Sequence, residues 1–597
     1  MHRVSLIEGN VFTYPSCTYF YSPSIYYPEY PWGVESLAKE ENHVYSMVRS
    51  CINKMGYDEK NYGTKEWNPF GDFIKIGDTV LIKPNWVDHK NSNKNGLNDL
   101  SCLLTHPSVV RAIVDFVVIA LKGTGRIIIA DAPMQHCNLP ELFRTTGYNK
   151  VFDFYKRQKQ QIEIADLRRC HVDEVSHHVF SKPLVNQDSQ GLVVKMGGVS
   201  LHAEKDLQAP QYKVSEYEIK ETASYHHDSE HSYEINRLAL DADVIINAPK
   251  PKTHRLAGMT AACKNLVGIV YEKSCLPHRV IGGKENGGDA YMKKSIWKEI
   301  MERCEEKKTK NSIKEKYFAA KWYFFLTKVA YVMGYIATGD KYRVGSWYGN
   351  DTIWRTIADL NKIFYYADKD GKMCDSVQRK IFIVADMICG GDHSGPLAPS
   401  PVDAGVIAMG EDPFLVDRTI CAVMGFDYRR IPQLSERKYF VGGIHKVSED
   451  EVASVVSNDI GWNQKNNDEI REHSVHYQAA YGWEPVLGYN DFARLRERIR
   501  KEDGAYIFGF GKIGKRQAKT LLTWGIKPKA FFDNNPGTWG ENFEGIPCLS
   551  PEEGERERLL IIAVSNINVI NVLKEQAEGL GYQNIFIWNN QTEGRIE

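Results

Sequence analysis

Lysines, histidines and carboxylates gather at the ends of short apolar runs in the first two-thirds of the chain. DTVLIKPNW carries Lys83 and Asn85 directly after its apolar stretch, and GRIIIADAP turns polar at Asp131. DADVIINAPKPKTH delivers Lys250, Lys252, Thr253 and His254, and MTAACKNLVGIV places Lys264 and Asn265 a little further on. KIFIVADMICGGDH turns polar at Asp386. Lysines brought to one place imply an anionic ligand, phosphate or carboxylate, because like charges in one cleft repel until an anion fills it. On this reading Lys83, Asn85, Lys250, Lys252, Lys264 and Asn265 bind substrate, with Arg355 as a planar fork beside them. His254 or His106 would move a proton, and Asp131 or Asp386 would orient a histidine or hold a metal. No H-E-x-x-H or EF-hand spacing is present, so no metal ligands are assigned. The plainer alternatives are solvated loop lysines, capping histidines, and a helix-surface ion pair between Arg355 and Asp359.

A second motif is Gly509-Phe510-Gly511-Lys512-Ile513-Gly514, which follows the apolar run AYIF and opens a helix. Gly509 permits a tight turn, Gly511 lets a pyrophosphate approach the backbone, and Gly514 lets helix and strand pack closely. Asp533 ends the next apolar run, where a ribose-binding acid is expected. The cofactor this pattern suits is NAD(P) or another nucleotide. The alternative is that the glycines serve only the fold. The unit is too short for paired mononucleotide halves, and no hydride-transfer acid or base lies inside it.

These residues need elements to hold them. Continuous apolar runs alternating with helical stretches read as an α/β fold with a large, mostly parallel sheet. The clearest helix is PSVVRAIVDFVVIALKG, with Pro107 suited to its first turn and Gly123 to its C-terminal cap. GLVVKMGG and the polar stretch to about residue 235 read as a strand pair or an insertion on that sheet. Residues 1–75 are aromatic and rich in proline, which predicts a coil over the domain surface or a wall of a binding site. Residues 76–440 form the large α/β domain, 441–503 a helical linker without a strong strand, and 504–597 a small Rossmann-like domain. The apolar helix 317–338 carries Lys321 and Lys328, each costing about 2.5–3.5 kcal/mol near a bilayer centre. It is therefore expected to lie against protein, its lysines facing water and its aromatic residues inward. No integral span is expected, and the aromatic–lysine mix leaves peripheral membrane contact open.

Lys+Arg is 75 and Asp+Glu is 76, a net charge of −1, which argues against a general nucleic-acid binder. The chain has 12 cysteines and no C-x-x-C, which speaks against an iron–sulfur cluster or a zinc ribbon. Free thiols in a reducing compartment are expected, and with no signal peptide in MHRVSLIEGNVFTYP the location expected is cytoplasmic.

In order, VLIKPNWV, THPSVVRAIVDFV, DADVIINAPKPKTH with GMTAACKNLVGIV, and VADMICGGDHSGPLAPSPVDAGVIAMGEDPFLVDRTICAVMGF resemble the domain of unknown function 362 family over about residues 75–435. SWYGNDTIWRTIADLN looks like a subgroup of it. Some relatives carry ferredoxin-type cysteine motifs that this chain lacks, so the resemblance implies no electron transfer here. Residues 504–597 resemble nucleotide-binding modules attached to polysaccharide-assembly proteins, on IFGFGKIGK, FFDNNPGTWGENFEGIPCLSP and LIIAVSN. The function expected is an enzyme acting on a phosphorylated, carboxylated or nucleotide-linked small molecule in sugar or polysaccharide metabolism. The alternative is a regulatory module that binds a metabolite and a nucleotide without chemistry.

Overall fold

The computed structural model describes residues 2–9, 11–93, 99–175, 178–183, 190–208, 210–435, 452–487, 499, 504–523, 525–564 and 567–588. Its centre is a ten-stranded sheet. Along the main path the strands run Ser454–Ser457, Arg3–Glu8, Ala398–Gly410, Lys380–Ser394, Val244–Ala248, Thr79–Pro84, Arg126–Asp131 and Glu163–Asp166. The five from Lys380–Ser394 to Glu163–Asp166 pair in parallel. The cores of four of them (VLI, III, VII, IFIV) are buried, as expected for strands covered on both faces, while the edge strand Glu163–Asp166 is partly exposed. Lys380–Ser394 and Ala398–Gly410 pair as a long antiparallel hairpin whose tip reaches past the sheet's carboxyl ends. The helix Pro107–Leu121 lies over the sheet, its buried flank joining the cluster of Val80, Ile82 and Ile129.

Residues 1–75 are more ordered than their composition predicts. Arg3–Glu8 is an interior strand, antiparallel to Ala398–Gly410 and parallel to Ser454–Ser457. His43–Lys54 is an amphipathic helix capped by Asn42, whose side chain accepts the Tyr45 N–H. Tyr14–Trp32 has no strand or α-helix, and it packs on the large domain: Trp32 Nε1 donates to Asp115 at 2.7 Å and the Tyr21 hydroxyl to the Thr146 carbonyl at 2.9 Å. The segment 441–503 also differs from expectation, because Ser454–Ser457 is a strand of the main sheet. Residues 441–451 and most of 488–503 lie outside the described residues, as do Ser565 and Asn566 of the LIIAVSN stretch. Gly191–Lys195 pairs antiparallel with Glu230–Asn236, but this pair belongs to a separate three-stranded sheet with His226–His227 and not, as expected, to the main sheet.

Ile296–Ile313 and Tyr317–Thr338 form a helical hairpin, and here the expected orientation is overturned. Phe318 is 89%, Trp322 55%, Phe325 54% and Ile336 70% exposed, while the residues buried on this helix are Ala320, Ala330 and Gly334. Small residues make the contact because the partner helix comes close: a Cβ on Gly334 would lie 3.0 Å from Lys298 Cγ. Among the described residues no helix is long and apolar enough to cross a membrane. All 12 cysteines are free, nine of them buried.

Residues 504–588 build a separate sheet in the order Asn542–Phe543, Ile546–Leu549, Ala530–Phe532, Ala505–Phe508, Leu559–Ile562, Ile585–Ile587. All its pairs except the first are parallel, which gives an open α/β sheet reversing direction beside Ala505–Phe508. Its first helix, Lys512–Thr523, docks on the large domain through Arg516, which pairs with Glu8 at 2.7 Å.

Candidate functional site

The strands Thr79–Pro84, Arg126–Asp131 and Val244–Ala248 end side by side, and the loops after them enclose a cavity of about 290 Å3. This is where ligands bind in open α/β sheets. Its size is at the lower end for small-molecule sites, so it suits a small metabolite rather than a dinucleotide. The tip of the long hairpin, Pro396 and Leu397, and the segment Val214–Tyr217 close its sides. Much of the lining is apolar, and three ammonium groups interrupt it: Lys252, Lys264 and Lys273.

Each ammonium is held differently. Lys252 donates to the Leu103 carbonyl and to Asn85 Oδ1 (3.2 Å). A directed relay continues from there: Asn85 Nδ2 donates to Asn265 Oδ1 (3.0 Å), Asn265 Nδ2 to Asn247 Oδ1 (2.7 Å), and Asn247 Nδ2 to the Ala262 carbonyl (2.9 Å). Lys273 donates to the Ala132 carbonyl at 2.8 Å. Lys264 has no hydrogen-bond or ion-pair partner among the described residues. It stands on the short helix Ala262–Asn265, whose first N–H groups are tied to the Asp417 carboxylate at 2.7 and 2.9 Å. Burial, then neighbouring Lys250, lowers Lys252 to about 7. Burial, then Lys273, lowers Lys264 to about 8, and burial, with Lys83 and Arg168 adding to it, lowers Lys273 to about 8.

Two imidazoles line the same cavity in opposite tautomers. His254 Nδ1 accepts the Leu256 and Ala257 N–H groups at 3.1 and 3.2 Å, so its proton sits on Nε2. His278 Nδ1 lies 2.7 Å from the Leu276 carbonyl and must donate to it, so its Nε2 carries a lone pair. Burial, then Lys264, holds His254 well below the usual histidine value and lowers His278 to about 4. Both rings are neutral at pH 7, one offering a donor and the other an acceptor.

Asp131, Asn85 and Asn265 also line the cavity, and the remaining candidates lie beneath or beside it. Lys83 is fully buried and paired with Asp131 at 2.7 Å, while Asp131 Oδ2 also accepts the Trp86 N–H. Gly268 covers the pair, and a Cβ there would fall 2.0 Å from Asp131 Oδ1. Lys250 is buried against Asp386 at 2.8 Å, and the Tyr14 hydroxyl bridges the two at 2.7 and 2.6 Å. The expectation that Lys83, Lys250 and Lys264 line one pocket therefore holds only for Lys264; the other two are neutralised by strand-end carboxylates. Neither Asp131 nor Asp386 accepts from an imidazole ring; from His106, Asp386 accepts the backbone N–H, at 2.9 Å. His106 stacks on Tyr14 (3.9 Å between centroids) and caps the helix Pro107–Leu121, with Ser108 N–H donating to its Nδ1. It does not line the cavity. Arg355 is also elsewhere: it pairs with Glu204 (2.6 Å) and Asp351 (3.4 Å) and donates to the Leu201 carbonyl. Its expected partner Asp359 instead accepts from Ser200, Tyr233 and the Leu201 N–H.

Sequence reasoning missed Lys273 and His278. They sit in YEKSCLPHRV, and the run LVGIV before it folds as the short 3-10 helix Leu266–Ile269 rather than a strand, so no strand end marks them.

In the C-terminal unit, Gly509 has φ +118° and a Cβ on Gly514 would strike the Gly509 carbonyl at 1.8 Å, so both glycines serve the turn itself. A Cβ on Gly511 would meet nothing within 4 Å. Asp533 Oδ2 accepts the Phe510 N–H at 2.9 Å, which ties the acid to the glycine turn.

The fold and cavity thus define an α/β protein with a small, cation-lined site at the carboxyl edge of a mostly parallel sheet. The family model Domain of unknown function (DUF362) matches residues 80–188 and 178–422, more than half of the chain, and the protein belongs to that family. No curated protein and no solved structure matches the chain.

Proposed function

We propose that the protein is an enzyme that binds a small anionic metabolite in this cavity and moves a proton on it. The observation that carries the reading is the opposed pair, His254 with Nε2–H and His278 with a free Nε2, beside the unpaired ammonium of Lys264. An anion held by Lys264, Lys273 and Lys252 would cancel the positive field that depresses His278, raising its basicity as substrate enters. His278 Nε2 then accepts a proton from the substrate, and His254 Nε2–H donates to the oxygen on which charge develops. A phosphorylated or carboxylated sugar has the anion and the acidic positions this requires.

The test is a thermal-shift screen of the purified full chain against sugar phosphates and sugar acids, followed by hydrogen–deuterium exchange on any binder. Wild type should be stabilised and should exchange one substrate hydrogen with solvent. H278N should bind but not exchange, and K264M should lose the stabilisation. Binding without exchange by wild type would instead support a metabolite-binding regulatory module.

A nucleotide at the glycine turn remains part of the reading, supported by the open space above Gly511 at the start of the helix Lys512–Thr523. Titration of the full chain with NAD, NADP and nucleotide sugars tests it. G511V should abolish any binding seen, and absence of binding by wild type assigns the glycines to the fold alone.

A further inference from the structure

Behind one wall of the cavity lies a second group of chemically capable side chains. Asp88 and His89 follow the strand Thr79–Pro84, and His136 and Cys137 follow the neighbouring strand Arg126–Asp131. The two loops are stitched together by the Met134 N–H donating to the Val87 carbonyl at 2.8 Å. Arg168 fixes the second loop, giving hydrogen bonds to the carbonyls of Met134, Gln135 and Cys137 at 2.6, 3.1 and 3.0 Å. One oxygen of Asp88, one nitrogen of His89 and the sulfur of Cys137 all lie within 4.8 Å of one another, and all three residues are buried.

The hydrogen bonds around His89 leave one of two groups facing Nδ1 unmatched. The Asn138 N–H points at His89 Nδ1 from 3.2 Å, which asks for a lone pair there. Asp88 Oδ1 lies 2.9 Å from the same nitrogen, which asks for a proton there. One ring nitrogen cannot be both acceptor and donor. Cys137 Sγ, meanwhile, has no hydrogen-bond partner among the described residues. A cation on the Nδ1 lone pair removes the need for a proton facing Asp88 and gives the Asp88 oxygen and the Cys137 sulfur a common partner, while the Asn138 N–H stays without an acceptor.

We propose that Asp88, His89 and Cys137 bind a divalent cation of the zinc class. An oxygen, an imidazole nitrogen and a thiolate are the ligand types that zinc takes, at about 2.0–2.3 Å. A tetrahedron of those bond lengths has edges of roughly 3.3–3.8 Å, so contacts of up to 4.8 Å close by at most about 1.5 Å, while the Asp88 Oδ1–His89 Nδ1 pair, at 2.9 Å, opens by about 0.4 Å. His136 Nε2, 2.9 Å from Asp88 Oδ2, orients the carboxylate and leaves Oδ1 for the ion. Binding converts the Cys137 thiol to a thiolate, with its proton released to solvent. Val87, Met134 and Gln135 line the cavity and directly precede the ligands in sequence, so the ion braces that wall.

The full chain, purified without chelator, is analysed for zinc by mass spectrometry, and the stripped protein is titrated with cobalt(II). One equivalent of zinc per chain and a near-ultraviolet thiolate-to-cobalt band are expected, with the band absent in C137S and weakened at least tenfold in affinity in H89A. Because a variant can fail to fold, alkylation of Cys137 is also followed in the wild-type protein with and without zinc; the metal should slow it at least tenfold. Less than about 0.1 equivalent of zinc after reconstitution, a cobalt band unchanged in C137S, or alkylation indifferent to zinc would each overturn the proposal. These readouts are independent of turnover, so they stand or fall apart from the proton-transfer reading.

Discussion

At the scale of single residues, two kinds of lysine stand within one strand-end region. Lys83 and Lys250 are locked to carboxylates outside the cavity, whereas Lys252, Lys264 and Lys273 face it; burial lowers the proton affinity of these three and of Lys83 alike. Below their shifted values these three are cationic and attract an anion; above them they are neutral. Sulfate keeps its charge across this window, so its affinity measured by calorimetry should fall progressively from pH 7 to pH 9. In K252M the part of the fall near pH 7 should disappear. The buried Lys250–Asp386 pair makes a different prediction. Removing one partner strands the other charge, so K250M or D386N alone should cost about 3–5 kcal/mol in the unfolding transition of the large domain. The double variant should cost less than the sum, since it leaves no orphan charge. The sequence announced these lysines by their place after apolar runs. It could not say which would meet a carboxylate, because Asp131 and Asp386 come from other strands, 48 and 136 residues away.

Elements were legible where their periodicity is carried by apolar residues. The strands Thr79–Pro84, Arg126–Asp131 and Val244–Ala248 follow from continuous β-branched runs. Arg3–Glu8 did not stand out, since RVSLIE is short and abuts a proline-rich segment. The hairpin helix Tyr317–Thr338 was misoriented because aromatic residues were assumed to seek the interior, whereas small residues set the contact. That yields a paired prediction. Replacing Phe318, Trp322 and Phe325 each by serine should move stability by no more than about 0.5 kcal/mol per site, as at exposed positions generally. G334L, by contrast, should lower the thermal midpoint, because Lys298 leaves no room for the side chain.

For the whole molecule, the two α/β units meet through charge. Glu8, on the large sheet, faces Arg516 at 2.7 Å and Lys512 at 3.6 Å on the first helix of the C-terminal unit. Glu8→Lys sets three cations together, so limited proteolysis should release the C-terminal unit several-fold faster than from wild type while the large domain keeps its melting transition. The α/β class and the second sheet could be read from repeating strand–loop–helix patterns. This contact could not, because Glu8 and Arg516 lie 508 residues apart and neither belongs to a motif.

The interior place of Arg3–Glu8 has a consequence in time. Its neighbours are Val406–Gly410 and Ser454–Ser457, so the first strand made waits for nearly the last of its sheet. At about 5–20 residues per second, synthesis separates them by roughly 20–90 s. Through that interval the Val4 and Leu6 side chains, destined for full burial, must be kept from other nascent chains. Ribosome-bound chains stalled before residue 400 should therefore show a protease-sensitive N-terminus. Chains stalled far enough past residue 457 for that strand to clear the ribosome should protect it, making the amino terminus a clock for completion of the sheet.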